Sequence, residues 1–78
     1  MDTTASAATF AQHRPYLTAI AYRMLGSLTE AEDMVQEAFL RWLEAPHDAL
    51  RSARAWLTTV ITRLCIDHLR SARVQREE

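Results

Sequence analysis

Read from its N-terminus, the chain carries no large side chain between Met1 and Phe10, then places Tyr16, Leu17, Ile20, Ala21, Met24 and Leu25 at helical spacing up to Gly26. That period predicts a first helix running from Phe10 to the glycine, the residue that most readily ends a helix in the left-handed conformation. Pro15 falls early in this pattern. Lacking an N–H and clashing with the carbonyl four residues back, it is expected to open the regular helix or to sit in a distorted first turn. Residues 1–9 are expected to be frayed or disordered, leaving one domain over residues 10–78.

The stretch TEAEDMVQEAFLRWL, residues 29 to 43, repeats the helical period with an acidic start. Thr29 followed three residues later by Glu32 has the form of a capping box, so the second helix is expected to begin near Glu30. It should end near Glu44, because Pro46 pushes Ala45 out of the α region. APHDALR reads as a loop, after which Ser52 caps a third helix from Ala53 through Gln75, the longest element. On that helix Leu57, Ile61, Leu64, Cys65, His68 and Ala72 share a core-facing side. Thr59, Arg63, Asp67, Arg70 and Val74 project oppositely, with Arg73 beside them. There is no useful strand alternation, so the predicted fold is all-α, a compact three-helix bundle.

Composition narrows the classes. Of the 78 residues 49% are hydrophobic and 24% charged, with one Gly and two Pro, which fits an ordered helical chain rather than a linker. A chain of this length buries roughly 60% of its unfolded surface, which allows one domain. The single Cys65 permits no internal disulfide, and charges interrupt every apolar run short of the ~20 residues that cross a bilayer, so a soluble, cytoplasmic protein with no membrane partner is expected. The net charge of −1 conceals a division. Residues 1–50 carry three arginines against seven acids, a balance of −4; residues 51–78 carry six against three, a balance of +3. Two partners of different charge become plausible. Every basic residue is arginine, whose planar fork suits phosphate and base edges.

Catalytic and metal chemistry find little support. There is no glycine-rich phosphate loop, and His13, His47 and His68 lie in separate segments without ligand spacing. Asp67 and His68 are adjacent on a helix and point about 100° apart. No enzyme activity, cofactor or metal is expected.

Two surfaces remain. On the second helix Ala31, Val35, Ala38 and Trp42 can face the bundle, while Asp33, Gln36, Glu37 and Leu40 lie elsewhere, flanked by Phe39 and Leu43. Polar groups bordered by exposed apolar ones have the anatomy of a protein interface, although a generously hydrophobic core helix gives the same pattern. On the third helix the arginines can follow a phosphate backbone, or form a solvated face. Trp56 projects roughly in the direction of Arg63, where it can stack on a base or pack against the second helix.

The blocks FAQHRPYLTAIAYRMLG, AEDMVQEAFLRW and AWLTTVITRLCIDHLR, in this order and spacing, closely resemble the σ2 domain (region 2) of bacterial RNA polymerase sigma factors of the sigma-70 family, of the extracytoplasmic-function (ECF) type. The resemblance extends from Phe10 to Arg76. It implies a transcription initiation module with two partners. The block matching Glu32 to Leu43 would bind the clamp helices of the polymerase β′ subunit through Asp33, Gln36, Glu37, Phe39 and Leu43. The block matching Trp56 to Arg76 would recognise and melt the promoter −10 element on its non-template strand, with Trp56, Thr59, Arg63, Asp67, Arg70 and Arg73 facing DNA. The loop from Ala45 to Ser52, with Pro46, His47 and Asp48, would capture an extruded base. An anti-sigma factor, or C-terminal domains of the same factor, are further partners that the resemblance admits.

Two departures qualify it. Where many ECF members carry Asn, this chain reads ITRLCID with Arg63 at or near that position, so base preference does not carry over. The sequence also stops at Glu78 without the σ4 domain that reads the −35 element, as expected of an N-terminal fragment of a longer factor. The rival readings are a free-standing helix-turn-helix DNA binder, which leaves the acidic helix without a role, and a helical domain that binds protein alone.

Overall fold

The computed structural model describes residues 3–77, with side chains from residue 5 to residue 74. Among these the chain forms α1 (Thr3–Leu25), α2 (Leu28–Leu43), a single 3-10 turn (His47–Ala49) and α3 (Ala53–Glu77), with no strand. The helices run up, down and up. Ser6 near the start of α1 meets Trp42 at the end of α2, and Glu30 at the start of α2 meets His68 late in α3. The expected all-α three-helix bundle is the observed fold.

The core is contributed almost equally by the three helices: Phe10, Leu17 and Ala21 from α1, Ala31, Val35, Ala38 and Trp42 from α2, and Leu57, Ile61, Leu64 and Cys65 from α3. These are the inward faces that helical spacing assigns to α2 and α3. The three alanines let the α1 and α2 backbones approach closely. The larger side chains supply most of the stabilisation, about 1.5–3 kcal/mol for each Leu, Ile or Phe fully buried.

Of the residues expected to be frayed, 3–9 belong to α1, which starts at Thr3, and residues 1 and 2 lie outside those described. The reason is a contact that local pattern does not reveal. The buried Trp42 indole donates from Nε1 to the Ser6 carbonyl at 2.8 Å, across 36 positions of sequence, and Ser6 itself is buried. A small residue is what the site requires, since a large one would hold the helix away from the ring. Pro15 lies well inside α1 rather than at its start. It leaves the Ala11 carbonyl without its intrahelical donor, at a position exposed to water. The flanking Phe10, Leu17 and Ala21 hold the helix together on the buried side.

The junction between α1 and α2 also differs from the expectation. Gly26 ends α1 at φ 73° with its N–H on the Tyr22 carbonyl, 2.8 Å away, as glycine at a helix terminus should. Ser27, not Thr29, then caps α2: its extended backbone (φ −136°, ψ 124°) lets Oγ accept from the Glu30 N–H at 3.3 Å, and the helix begins at Leu28. The Ser-x-x-Glu pattern at 27–30 overlaps the Thr-x-x-Glu pattern at 29–32, and the earlier one prevails because α1 stops only one residue before it. Ser52 caps α3 as expected, accepting from the Ala55 N–H at 3.1 Å. His68 is not a core residue. It lies partly exposed at the edge of the bundle, with Nε2 2.7 Å from Glu30 Oε1. Beyond that pair α3 continues past the α1–α2 junction, and the molecule is 45 Å long by 20 Å by 18 Å. No helix of the described residues is long and apolar enough to cross a membrane.

A chain beginning at Phe10 should be less stable than the full chain by about 1–3 kcal/mol, because the Trp42 indole loses both its acceptor and the turns of α1 that cover its apolar ring. Thermal denaturation checks this; equal melting temperatures for the two chains would show that the N-terminal turns of α1 contribute nothing.

Candidate functional site

Because α2 turns Ala31, Val35, Ala38 and Trp42 inward, geometry at about 100° per residue puts Asp33, Gln36, Glu37 and Leu40 on the outward side. Asp33 and Gln36 are exposed and Glu37 half-exposed, with a loose 3.8 Å approach to the Arg41 guanidinium. At this distance and exposure the pair holds neither partner firmly. Leu40, 50% exposed, occupies the middle of this face, and Leu43, 39% exposed, its C-terminal end. Phe39 stands at the margin. Its ring packs edge-on against the buried Phe10 ring, centroids 5.0 Å apart, so part of it belongs to the α1–α2 contact and part remains outside. The family resemblance singled out Asp33, Gln36 and Glu37 together with Phe39 and Leu43; Leu40, at the centre of the face, was left out and is as exposed as its neighbours.

The α3 face is built differently. Thr59, Arg63, Asp67, Arg70 and Arg73 are all exposed and lie along the side opposite Leu57, Ile61 and Leu64. Arg63 and Arg70 make no ion pair with a described residue, so two guanidinium groups about 10 Å apart along the helix stand ready for an external anion. Arg54 is diverted. Its guanidinium lies 3.9 Å from the Tyr16 ring centroid, and Thr58 Oγ1 lies 3.3 Å from the Tyr16 hydroxyl. The Thr58 hydroxyl, followed by the Arg54 cation, holds the Tyr16 phenol below its usual range. This cluster joins α1 to the start of α3, and it engages Arg54 on the side of the helix away from Arg63. Thr59 spends its hydroxyl proton on the Ala55 carbonyl, 3.2 Å away.

Trp56 sits at the root of this face, half-buried, with its ring 5.8 Å from the Trp42 ring at 56°. Of the two directions open to it in sequence, packing against α2 is the one it takes. The loop between α2 and α3 closes on the same tryptophan. A 3-10 turn, with Ala49 N–H on the Pro46 carbonyl at 2.9 Å, carries the His47 ring edge-on against Trp42, centroids 4.2 Å apart. Both imidazole nitrogens are buried there without a partner among the described residues. Pro46 and Asp48 point outward. Of the three loop residues singled out in sequence, two are therefore presented to the surroundings and His47 is turned inward. Cys65 is buried, which pushes its thiol up, and His68 is engaged with Glu30. No cluster of potential metal ligands occurs among the described residues.

The two outward faces thus differ in character, acidic and apolar on α2 and arginine-bearing on α3. The family model for sigma-70 region 2 matches residues 9–74, and the chain belongs to that family. Its relatives are ECF proteins. It is 52% identical over 65 residues to a protein of Mycobacterium tuberculosis named Probable ECF RNA polymerase sigma factor SigI, covering 83% of this chain and 22% of that one. It is 52% identical over 64 residues to the ECF RNA polymerase sigma factor SigJ of the same organism, covering 82% of this chain and 20% of that one. It is 44% identical over 69 residues to the ECF RNA polymerase sigma factor SigL, also from that organism, covering 85% of this chain and 39% of that one. The chain thus spans about a fifth of the length of the first two relatives. No solved structure matches it at the same stringency.

Replacing His47 by Phe should keep the edge contact with Trp42 while removing two buried unpaired nitrogens, raising stability by about 1 kcal/mol. A lower melting temperature for His47→Phe would show that the imidazole makes a favourable polar contact in solution.

Proposed function

We propose that this chain is the part of a sigma factor that joins RNA polymerase core to an opened promoter, holding the β′ clamp helices on α2 and the non-template strand of the −10 element on α3. The observation that carries the reading is the division of the outward surface. One helix offers Asp33, Gln36, Glu37, Phe39 and Leu43 around the exposed Leu40, and the next offers Arg63 and Arg70, free of ion pairs among the described residues, beside Arg73. Family membership supports it, since the related sequences are named as RNA polymerase sigma factors.

The chemistry on α2 is that of a protein interface. Leu40 and Leu43 lose water when covered, and Asp33, Gln36 and Glu37 supply acceptors around them for basic or amide groups of the partner. The chemistry on α3 is that of strand capture. Arginine contacts to phosphate position the strand without reading it, and sequence preference must come from groups that reach bases, here Arg63, Asp67 and the outward loop residues Pro46 and Asp48. Trp56, half-buried against Trp42, is placed to cover the end of a strand with its free edge rather than to stack with its whole face. No residue is asked to make or break a covalent bond; opening is driven by binding the unpaired strand better than the duplex.

The test is a separation of effects. In the full chain, Asp33→Ala, Gln36→Ala and Glu37→Ala should each weaken binding to a β′ clamp-helix fragment by on the order of 1–3 kcal/mol and leave single-strand affinity unchanged. Arg63→Ala combined with Arg70→Ala and Arg73→Ala should do the reverse, lowering strand affinity and flattening its salt dependence by about one unit for each phosphate left without its arginine. Calorimetry and fluorescence anisotropy measure the two. Wild-type affinity for both partners in both sets of variants would remove the assignment.

A further inference from the structure

Two large apolar residues, Ile66 and Val74, are exposed on the arginine face of α3, and Ile66 is the one that falls between Arg63 and Arg70. Ile66 lies about 180° around the helix from the buried Leu57, and within about 20° of Thr59 and Arg73, about 40° of Arg70 and about 60° of Arg63. It is therefore on the midline of the basic stripe, and it is 38% exposed. Isolated exposed apolar side chains are common and by themselves carry no meaning. The position of this one is different in kind. Arg63 stands one turn before it and Arg70 one turn after it, neither held by an ion pair to a described residue, and a line joining the two runs between Ile66 and Asp67, so an anionic strand gripped by both comes within reach of the isoleucine side chain.

The neighbouring groups also limit what else can meet a base there. Thr59 and Thr62 have given their hydroxyl protons to the carbonyls of Ala55 and Thr58, at 3.2 and 2.7 Å. Between the two guanidinium groups the surface is thus apolar on the Ile66 side and carries the exposed Asp67 carboxylate on the other. The Ile66 side of this seat cannot distinguish bases by hydrogen bonding. It can distinguish them by apolar surface, and among the DNA bases thymine alone presents a methyl group for such a contact.

We infer that Ile66 is a specificity-determining residue of the α3 face, contacting the C5-methyl of a thymine in the strand that Arg63 and Arg70 hold. The inference rests on the proposed binding of a DNA strand to α3 and deepens it by naming a base feature. It also gives the strand-binding face a means of favouring thymine that does not depend on Arg63, whose flexible fork can serve either phosphate or a base edge.

The experiment compares short oligothymidylate with oligodeoxyuridylate of equal length, two strands that differ only in that methyl. Binding to the full chain is followed by fluorescence anisotropy at low salt. Wild type should prefer the thymine strand by about fourfold, the value of one buried carbon at ~0.8 kcal/mol. Ile66→Ala should abolish the preference while leaving affinity for the deoxyuridine strand unchanged, and Ile66→Val should retain most of it. As Ile66 is partly exposed, the variants should fold as wild type does, which circular dichroism verifies. A wild-type chain without the preference, an Ile66→Ala chain that keeps it, or an equal loss on both strands would overturn the inference alone. Failure of the wild-type chain to bind either strand, or wild-type binding by the Arg63→Ala, Arg70→Ala double variant, would overturn the strand-binding role of α3 and this inference with it.

Discussion

The indole of Trp42 is the contact on which the arrangement depends. It is almost fully buried at the end of α2, and three separate parts of the chain meet on it. Its N–H bonds the Ser6 carbonyl near the start of α1, its face receives the edge of His47 from the loop, and Trp56 leans on it from the first turn of α3. A buried indole must find an acceptor for its single N–H, and this chain supplies one by extending α1 back over residues that have no apolar reason to fold. One side chain thereby joins the early part of α1, the loop and the first turn of α3.

That constraint explains why two outward faces can serve different partners. A bundle of three helices has one core, and each helix that commits a stripe of residues to it leaves an opposite stripe pointing in its own direction. With Ala31, Val35, Ala38 and Trp42 inward, the acidic and apolar face of α2 follows; with Leu57, Ile61 and Leu64 inward, the arginine face of α3 follows. The opposite charges of the two faces set up fields of opposite sign that reach about 10 Å at moderate salt. At the opposite end from Trp42 the Glu30–His68 contact ties α2 to α3, so the faces are held in register at both ends. The cost is visible at Leu40, which stays half in water.

Much of this was legible in the residues alone. Strong amphipathic spacing is a local signal, and it placed the core faces of α2 and α3, the glycine stop at Gly26 and the cap at Ser52 where the structure has them. What was not legible depends on distant or competing contacts. Ser6 is buried by a tryptophan 36 residues away, so no window of local sequence reveals it. Thr29 and Ser27 both begin a capping pattern, and only the position of the α1 terminus selects between them. His68 falls on the core side by angle, yet α3 has by then reached the end of the bundle and finds Glu30 instead of a hydrophobic neighbour. Arg54 looked like one more positive charge until Tyr16, on another helix, claimed it. Of the candidate site, the residues of both faces followed from the family resemblance and the helical period together, whereas the inward turn of His47 came from loop geometry that neither encodes.

If the α2 and α3 faces are separate surfaces, both can be occupied at once. This is tested most directly by titrating a labelled single strand of DNA with the full chain, first alone and then saturated with a β′ clamp-helix fragment. The saturated chain is predicted to bind the strand at least as tightly as the free chain, forming a ternary complex. Displacement of the strand by the clamp-helix fragment would contradict it, because both partners would then be competing for one face.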